Sequence, residues 1–239
     1  MLQQRLEAVP HCAVVGRQVR HLDEVGSTND EALREGLDGT VIVAERQRAG
    51  RGRHGRAWHS APGLGLWMSV AFTQPVPGLP FGTALALRDA LGQFAPVSVK
   101  WPNDILSQGK KLCGMLLESR GNRTALGIGI NVLHQREDLP PELHDTATSL
   151  QLAAGAPLDR QTVFEAVIVS LDRRVVQLRD GAFDAVFEEW VEACGVIGRR
   201  VHHAGVSGEV VAIEASGALR LKTPSGPHAV VYGDMVEME

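Results

Sequence analysis

The stretch Gln47-Arg48-Ala49-Gly50-Arg51-Gly52-Arg53-His54-Gly55-Arg56 contains four arginines and three glycines in ten residues, and it follows the apolar run Val41–Glu45. That apolar run reads as a β-strand. Glycine lets a backbone approach an anion closely, and arginine offers a planar fork to phosphate or carboxylate. The stretch therefore indicates a loop that closes over an anionic ligand. An RNA-binding arginine–glycine patch and a merely solvated loop have the same composition.

The loop differs from two common phosphate-binding motifs. The GxxxxGK[ST] sequence of a Walker A loop does not occur in the chain. Gly50, Gly52 and Gly55 have the spacing of the GxGxxG dinucleotide motif, but bulky and charged residues separate them. Because that motif makes a tight turn around pyrophosphate, the composition speaks against a dinucleotide site.

A second segment concentrates lysine, since three of the four lysines lie at positions 100, 110 and 111. The run Lys100-Trp101-Pro102-Asn103-Asp104 predicts a strand end and then a turn, because the residue before proline avoids the helical conformation and Asn-Asp favours turns. Lys111 precedes the apolar strand Leu112–Glu118, which contains Gly114. A cation, an amide and a carboxylate are thus expected at neighbouring strand ends, where open sheets bind ligands. A hairpin with a solvated polar tip is the alternative.

The run Gly127-Ile128-Gly129-Ile130-Asn131-Val132 predicts a strand with two glycines. Residues two apart on a strand face the same side, so both glycines leave room there for a ligand or another backbone. Tight packing of the strand against a helix would use the same pattern.

Strands and helices alternate up to about residue 190. Further strands are predicted at Leu66–Phe72, Val97–Trp101 and Ala125–Val132. Ser27 and Thr28 stand three residues before Asp30 and Glu31, which is the spacing of a capping box at the start of a helix. Apolar residues at helical intervals predict two more helices, Thr83–Phe94 and Gln161–Leu178.

After Trp190 the pattern changes to short strands with glycine-containing turns, which predicts a small β-barrel. The strands are Arg200–His203, Glu209–Glu214, Ala218–Lys222, Ala229–Tyr232 and Met235–Met238, and the turns are Val206–Gly208, Ser216–Gly217 and Pro224–Pro227. The predicted domains are therefore residues 1–194 and residues 195–239.

Composition and charge narrow the class of protein. Hydrophobic residues make up 44% of the chain and charged residues 22%, and the net charge is −4, so the chain as a whole does not attract nucleic acid or an anionic membrane. No signal peptide and no apolar run of about 20 residues is present. Three scattered cysteines, Cys12, Cys113 and Cys194, fit a reducing compartment. A cytoplasmic protein without a membrane partner is expected, and the histidine spacings do not favour a zinc site.

Taken together, in order and spacing, these segments resemble the catalytic domain of the biotin–protein ligases. The matching segments are Ser27-Thr28-Asn29, Gln47 with the Gly50–Arg56 loop and Trp58, Lys100–Asp104, Lys111 with Gly114, and Gly127–Asn131. The resemblance covers essentially the whole chain. It implies an α+β fold in which a central mixed β-sheet is flanked by helices, as in class II synthetases, with a small C-terminal SH3-like β-barrel.

The resemblance also implies an activity. ATP would activate biotin as biotinyl-5'-AMP, and biotin would then pass to a lysine of a carrier protein, with Mg²⁺ helping pyrophosphate to leave. The implied carrier is the biotin carboxyl carrier domain of a carboxylase. Twenty-six residues precede Ser27, where the first matching segment begins. These are too few for the winged-helix domain of ligases that are also repressors, so DNA is not an expected partner. Exposed edge strands would allow a homodimer.

Residue roles follow from the resemblance. Ser27, Thr28, Asn29 and Gln47 would bind the ureido ring of biotin. Gly50, Arg51, Gly52 and Arg53 would close over the biotin carboxylate and the α-phosphate, and Lys111 would bridge these two groups. Gly114 and Gly129 would leave space for the body of biotin. Trp58, Asn103 and Asn131 would surround the adenine and ribose, so that these three residues with Arg51, Arg53 and Lys111 hold the adenylate.

Asp104 is the implied group that orients or deprotonates the carrier lysine, which makes Lys111, Arg51 and Asp104 the expected catalytic residues. Family members often have arginine where His54 stands and lysine where Ala57 stands. The resemblance does not name a magnesium ligand.

Two other functions compete with this interpretation. Lipoate–protein ligases have a similar fold and the same adenylate chemistry, but the arginine–glycine loop and the Lys100–Asp104 run favour biotin. A nucleic-acid-binding module would use the arginine loop and the terminal barrel, and its binding would weaken steeply with salt. That second alternative gives Lys111 no role.

Overall fold

The computed structural model describes residues 5–203, 205–230 and 236–237. Twelve strands occur in this part of the chain: β1 (Val19–Val25), β2 (Val41–Gln47), β3 (Gly65–Phe72), β4 (Ser98–Lys100), β5 (Asp104–Ser107), β6 (Lys110–Arg120), β7 (Arg123–Asn131), β8 (Arg200–His203), β9 (Val206–Ile213), β10 (Leu219–Thr223), β11 (Gly226–Val230) and β12 (Val236–Glu237). The α-helices among the same residues are α1 (Thr28–Glu35), α2 (Leu79–Leu91), α3 (Leu150–Ala154), α4 (Arg160–Arg179) and α5 (Phe183–Cys194). None of these helices has both the length and the apolar character needed to cross a membrane.

The first seven strands form one mixed sheet in the order β1-β2-β3-β7-β6-β5-β4. Strands β1 and β2 are parallel, and every other neighbouring pair is antiparallel. This arrangement confirms the predicted mixed sheet flanked by helices.

The two faces of the sheet are covered differently, because side chains alternate along each strand. On β2, Val41 and Val43 join the main hydrophobic core with α2 and α4, whereas Ile42 joins a small cluster with Ala32 and Leu33 of α1. The α1 face therefore has a small apolar cluster only, which leaves room on that face for a polar pocket.

Helix α4 matches its prediction closely, since the apolar residues at helical spacing within it are buried, namely Val163, Phe164, Val167, Ile168, Leu171, Val175 and Leu178. Helix α2 begins at Leu79, earlier than the predicted Thr83, because Pro80 suits the first turn of a helix. Helix α1 begins at Thr28 with Ser27 as its N-cap, but the Ser27 side chain makes no capping hydrogen bond. The predicted capping box is wrong on this point, and Ser27 instead faces the pocket.

The turn after strand β4 is shorter than expected. The sequence predicts a turn over Asn103-Asp104, whereas Asp104 already pairs with Lys100 in the hairpin of β4 and β5. The Trp101-Pro102 peptide bond is cis, and the chain reverses within three residues. Strands β1 and β5 and helices α3 and α5 were not predicted.

The C-terminal residues form a five-stranded antiparallel sheet in the order β11-β10-β9-β8-β12. This small separate sheet agrees with the predicted barrel. The turn predicted at Val206–Gly208 is wrong, because these residues start β9 and the turn lies at Gly205, where φ is +84°. Strand β11 ends at Val230, so the rest of the predicted strand Ala229–Tyr232 lies outside the described residues, as do Met235 and Met238.

The two sheets share hydrophobic contacts. Helix α5 ends at Cys194, and Gly195 follows in the left-handed conformation, which fits the predicted division at residues 194 and 195. That division remains a prediction, because Val201, Val210 and Leu219 belong to the same continuous core as the first sheet. In addition, the indole Nε1 of Trp101 donates to the carbonyl oxygen of Gly217 at 2.8 Å.

One buried carboxylate fastens the N-terminal segment to helix α4. Asp172 is 8% exposed, and its oxygens accept hydrogen bonds from the backbone N–H groups of Ala13, Val14 and Val15 at 2.8, 2.7 and 2.7 Å. Three donors on one ionised group are hard to replace with water at a site this enclosed.

We expect Asp172→Ala to lower the free energy of unfolding by about 3 kcal/mol, because it leaves buried backbone donors without an acceptor. Urea denaturation measures this change. Asp180→Ala, at the exposed end of the same helix, is the control and should shift stability by less than about 0.5 kcal/mol. Equal urea midpoints for wild type and Asp172→Ala would contradict the assignment.

Candidate functional site

A pocket of about 570 Å³ opens on the α1 face of the large sheet, a size typical of small-molecule sites. Every site residue predicted from the sequence lines this pocket except Gly50. The residues that do so are Ser27, Thr28, Asn29, Gln47, Arg51, Gly52, Arg53, Trp58, Asn103, Asp104, Lys111, Gly114, Gly129 and Asn131. Segments that are far apart in sequence therefore converge as predicted.

Gly50 lies behind the pocket, where it allows a close approach of two backbone segments. A Cβ atom at this position would lie 2.8 Å from the carbonyl oxygen of Trp58. The carbonyl of Gly50 also accepts from the backbone N–H of Trp58 at 2.8 Å. Gly50 therefore shapes the loop and does not contact the cavity.

One end of the pocket is a cluster of hydroxyl and amide groups. The Gln47 Oε1 atom accepts from the Thr28 backbone N–H at 2.9 Å and lies 3.1 Å from Thr28 Oγ1. Gln47 Nε2 donates to Ser60 Oγ at 3.2 Å. Because Ser27 and Thr28 are 4% and 3% exposed, these groups are held in a nearly water-free environment.

Ser69 completes this cluster and was not predicted. Its Oγ atom lies 2.7 Å from Thr28 Oγ1 and 2.6 Å from Asn29 Oδ1. Asn29 in turn fits against Gly127, where a Cβ atom would lie 2.6 Å from Asn29 Oδ1. Ser69 is the one hydroxyl residue in the otherwise apolar strand β3. That exception in the pattern is the sequence signal that could have identified it as a member of this cluster.

The space beside Gly114 and Gly129 holds a side chain of the protein itself. A Cβ atom on Gly129 would lie 2.5 Å from the Trp58 ring, and one on Gly114 would lie 3.0 Å from it. These two glycines are paired across β6 and β7, so they form one flat seat for the indole. The predicted open space for the body of biotin is occupied by Trp58 in this structure, and the Trp58 Nε1 atom is buried without a hydrogen-bond partner among the described residues.

Cationic groups mark the other end of the pocket. Lys111 Nζ lies 2.8 Å from Asp104 Oδ1 and 5.3 Å from the centre of the Trp58 ring. The backbone of Lys111 is also fixed, because its N–H donates to Thr146 and its carbonyl accepts from Thr148. Lys111 is thus a positioned ammonium group beside a carboxylate and an aromatic face.

Arg53 lies at the same end. Its guanidinium donates to Asn103 Oδ1 at 3.2 Å, and Asn103 Nδ2 donates to the carbonyl of Met115 at 2.8 Å. The side-chain amide of Asn103 therefore links the arginine–glycine loop to strand β6.

Arg51 occupies a different environment from the one expected. Its guanidinium forms two hydrogen bonds with Asp30, at 2.9 and 2.8 Å, and a third with Glu118 Oε2 at 3.0 Å. The hydrogen bonds from Arg51 lower the pKa of Asp30 below its ordinary value, against the opposing effect of desolvation. Arg51 thus holds two carboxylates of the protein, and sequence analysis missed both partners.

The segment 139–147 forms a wall of the pocket that the sequence did not reveal. Leu139, Leu143, Asp145, Thr146 and Ala147 line the cavity, and Ala147 forms a parallel bridge with Lys111. Asn131, predicted near adenine and ribose, donates through Nδ2 to the carbonyl of Thr148 at 3.0 Å. The pairing of this segment with β6 is long-range and leaves no local sequence pattern.

The arrangement joins a neutral hydrogen-bonding end to a cationic end across an aromatic side chain. Such a pocket suits an elongated ligand with a polar, uncharged head and an anionic group near Arg53 and Lys111. Among the described residues, no cluster of three or more His, Cys, Asp or Glu side chains could hold a metal ion.

Comparisons with known proteins agree with this geometry. The model of the biotin/lipoate A/B protein ligase family matches residues 25–134. The chain is 33% identical to the bifunctional ligase/repressor BirA of Bacillus subtilis, over 93% of this chain and 74% of that protein. It is also 33% identical to the biotin–[acetyl-CoA-carboxylase] ligase of Paracoccus denitrificans, over 87% of this chain and 96% of that protein.

Among solved structures, the biotin protein ligase of Aquifex aeolicus in complex with biotin and ATP superimposes with a TM-score of 0.80. Sequence identity is 29%, and the match covers 93% of this chain and 99% of that one. Sequence and fold agree over nearly the whole length. The chain therefore belongs to the biotin–protein ligase family and is a ligase.

Proposed function

We propose that this chain joins biotin to ATP as biotinyl-5'-AMP, releasing pyrophosphate, and then transfers the biotinyl group to a lysine amine of a carrier protein, releasing AMP. The observation that carries the proposal is the convergence of the hydroxyl–amide cluster, Trp58 and the cationic groups in one pocket. Relatives named as biotin ligases, and a structural neighbour with biotin and ATP bound, support it.

The neutral end of the pocket suits the ureido head of biotin. A cyclic urea has one carbonyl acceptor and two N–H donors, and each must find a partner when buried. Ser27, Thr28 and Gln47 offer donors and acceptors at this end, and hydrogen bonds with Thr28 and Ser60 hold the Gln47 amide in place.

The cationic end suits the reacting atoms of the first step. A carboxylate oxygen of biotin attacks the α-phosphorus of ATP, and the bond to the pyrophosphate oxygen breaks. Arg53 and Lys111 would offset the negative charge that accumulates on the reacting groups. The indole of Trp58 lies against Gly114 and Gly129 in the pocket. Binding of biotin and adenine therefore requires this indole either to contact the ligands or to move.

The second step requires a neutral amine from the carrier. Asp104, which lies 2.8 Å from Lys111 Nζ, would orient that amine or accept its proton as the amine attacks the biotinyl carbonyl. AMP then leaves with the phosphate oxygen.

The carrier is proposed to be a biotin carboxyl carrier domain, and an open sheet edge offers it a place to dock. Strand β6 pairs with β5 only from Lys110 to Gly114, so its far half has β7 as its one strand partner among the described residues. The N–H and carbonyl groups of Leu117 and Ser119 point to that open edge, which begins beside the pocket. A strand of the carrier, or of a second copy of this chain, could pair there.

Magnesium remains part of the proposal. Mg²⁺ at nucleotide sites keeps phosphate and water ligands and takes only one or two carboxylates from the protein. Asn103 lines the pocket and supplies an oxygen atom of the right kind, so the site fits an ion that arrives with ATP. The ion would stabilise negative charge on the leaving pyrophosphate.

The predicted cytoplasmic location also remains a proposal, and the three free, buried cysteines fit it.

The experiment that tests the proposed function is ATP–pyrophosphate exchange by the purified protein with biotin, with lipoate or with neither acid. We expect exchange only with biotin, because adenylate formation is reversible and requires the acid that the pocket accepts. Exchange with lipoate alone would retain the chemistry and reassign the substrate. A protein that exchanges with neither acid would refute adenylation.

The role of Asp104 can be separated from that of Lys111 by comparing the two steps. Asp104→Asn keeps an oxygen for Lys111 but removes the base, so transfer from preformed biotinyl-5'-AMP to a carrier domain should slow by about 100-fold with little change in exchange. Lys111→Gln should instead slow exchange by about 100-fold. Equal slowing of both steps by Asp104→Asn would remove its proposed role.

Docking at the β6 edge can be tested with Ser119→Pro, which removes an outward N–H without breaking the β6–β7 ladder. We expect KM for the carrier domain to rise about tenfold while exchange is unchanged. Ser119→Ala is the matched control and should behave as wild type. An unchanged KM for the carrier in the proline variant would place docking elsewhere.

A further inference from the structure

We propose that Glu118 is a positioning residue that ties the arginine–glycine loop to the amide that shapes the head end of the pocket. This inference rests on the proposed function. Glu118 does not line the cavity, so it would act through Asn29 and Arg51, which both do.

The geometry centres on a single oxygen atom. Glu118 Oε2 accepts from Asn29 Nδ2 at 2.7 Å and from the Arg51 guanidinium at 3.0 Å. Asn29 belongs to helix α1 and Arg51 to the loop, so this carboxylate joins two segments that are adjacent to the pocket but distant in sequence. The side chains of Arg51 and Glu118 are each 32% exposed, and Asn29 is 3% exposed.

The charges around Arg51 indicate that this side chain has a structural role, in which it holds the loop to the rest of the protein. Its guanidinium carries one positive charge, whereas Asp30 and Glu118 together carry two negative charges when ionised. The cluster therefore has no net positive charge to offer an anionic substrate. Arg51 therefore holds the loop against α1 and β6, whereas Arg53 and Lys111 line the cationic end of the pocket.

The carboxylate also fixes the orientation of the Asn29 amide. An ionised carboxylate only accepts hydrogen bonds, so Asn29 turns its Nδ2 toward Glu118, where the carbonyl of Leu116 also accepts at 3.4 Å, and its Oδ1 toward Ser69. Ser69 then donates its only hydroxyl hydrogen to Asn29 Oδ1, 2.6 Å away. Ser69 Oγ is also in hydrogen-bond contact with Thr28 Oγ1, 2.7 Å away.

This ordering reaches the substrate end of the pocket. Thr28 has one hydroxyl hydrogen but two close neighbours, Ser69 Oγ at 2.7 Å and Gln47 Oε1 at 3.1 Å. Thr28 Oγ1 therefore connects Ser69 to Gln47, whose Oε1 also accepts from the Thr28 backbone N–H. One chain of hydrogen bonds thus runs from Glu118 through Asn29, Ser69 and Thr28 to Gln47, so the Glu118 carboxylate supports the position of the head-end groups.

The first test measures ATP–pyrophosphate exchange with biotin in Glu118→Leu and Glu118→Gln. Loss of the acceptor in Glu118→Leu should raise KM for biotin at least tenfold, with kcat within threefold of wild type. The amide oxygen of Glu118→Gln can still accept from both donors, so KM should stay within about threefold of wild type. An unchanged KM in Glu118→Leu, or equal impairment in both variants, would overturn the proposal.

Glu189→Leu is the matched control. Glu189 is 36% exposed and is also held by two arginines, Arg174 and Arg88, but it lies outside the pocket. This variant should lose stability and keep the wild-type KM for biotin. A similar rise of KM in Glu189→Leu would show a general effect of removing an ion pair and would refute the inference.

A second test works even if Glu118→Leu does not fold. Asn29→Asp puts two carboxylates in contact, so KM for biotin should be raised at pH 8 and should recover toward pH 5.5, where the pair shares a proton. The double variant Asn29→Asp with Glu118→Gln restores a donor–acceptor pair with reversed direction, so its KM should return toward wild type at pH 8. A double variant as impaired as Asn29→Asp alone would contradict the orienting role.

Wild-type protein separates this inference from the proposed function. Absence of biotin-dependent exchange in wild type would refute the function itself. Wild-type exchange with variants that leave KM for biotin unchanged would refute only the role of Glu118.

Discussion

Three strand positions on the α1 face of the large sheet, Gly114, Gly127 and Gly129, lack a side chain, and the site depends on the room they leave. A Cβ atom at Gly127 would collide with the Asn29 amide, and one at Gly129 would collide with the Trp58 ring. Since β6 and β7 are fixed by their ladder, neither side chain could settle against the sheet if these positions were larger. The glycines therefore leave the space in which the side chains of Asn29 and Trp58 pack against the sheet.

The charged groups of the loop are divided between two tasks. Arg51 is held by Asp30 and Glu118, whereas Arg53 reaches Asn103 at the end where Lys111 and Asp104 meet. An arginine-rich loop would otherwise repel itself, and pairing one arginine with acidic groups of the scaffold reduces that repulsion. Arg53 and Lys111 lie at the end of the pocket where negative charge would develop.

Sequence patterns predicted the elements with strong periodicity and the residues of the loop and strand motifs. Helix α4 and strands β2, β3 and β6 follow from their apolar patterns, and the predicted pocket residues came together except Gly50. Strand β1 was missed because its polar residues Arg20, His21, Asp23 and Glu24 mask any apolar alternation. Helix α5 had a usable pattern, since Val186 and Trp190 are four residues apart and buried.

Contacts between distant segments could not be read from the sequence. Glu118 looked like the last residue of an apolar strand, Ser69 like a small residue within one, and the pairing of Ala147 with Lys111 joins residues far apart in the chain. The position of Trp58 on Gly114 and Gly129 likewise depends on how the loop folds back over the sheet. These features arise from tertiary packing, which overrides local pattern.

The shared core of the two sheets has a consequence for attempts to make a smaller enzyme. Trp101, next to the Asn103–Asp104 pair of the pocket, is 3% exposed and bonds to Gly217 of the second sheet, and Phe81 contacts the same glycine. A fragment cut after residue 194 would leave these aromatic rings facing solvent, directly behind the strand end that carries Asp104. Domain shuffling and split-protein designs should therefore keep the C-terminal sheet together with the first sheet. A chain break in a surface turn such as Gly121-Asn122 leaves the contacts of Trp101 and Phe81 with Gly217 intact.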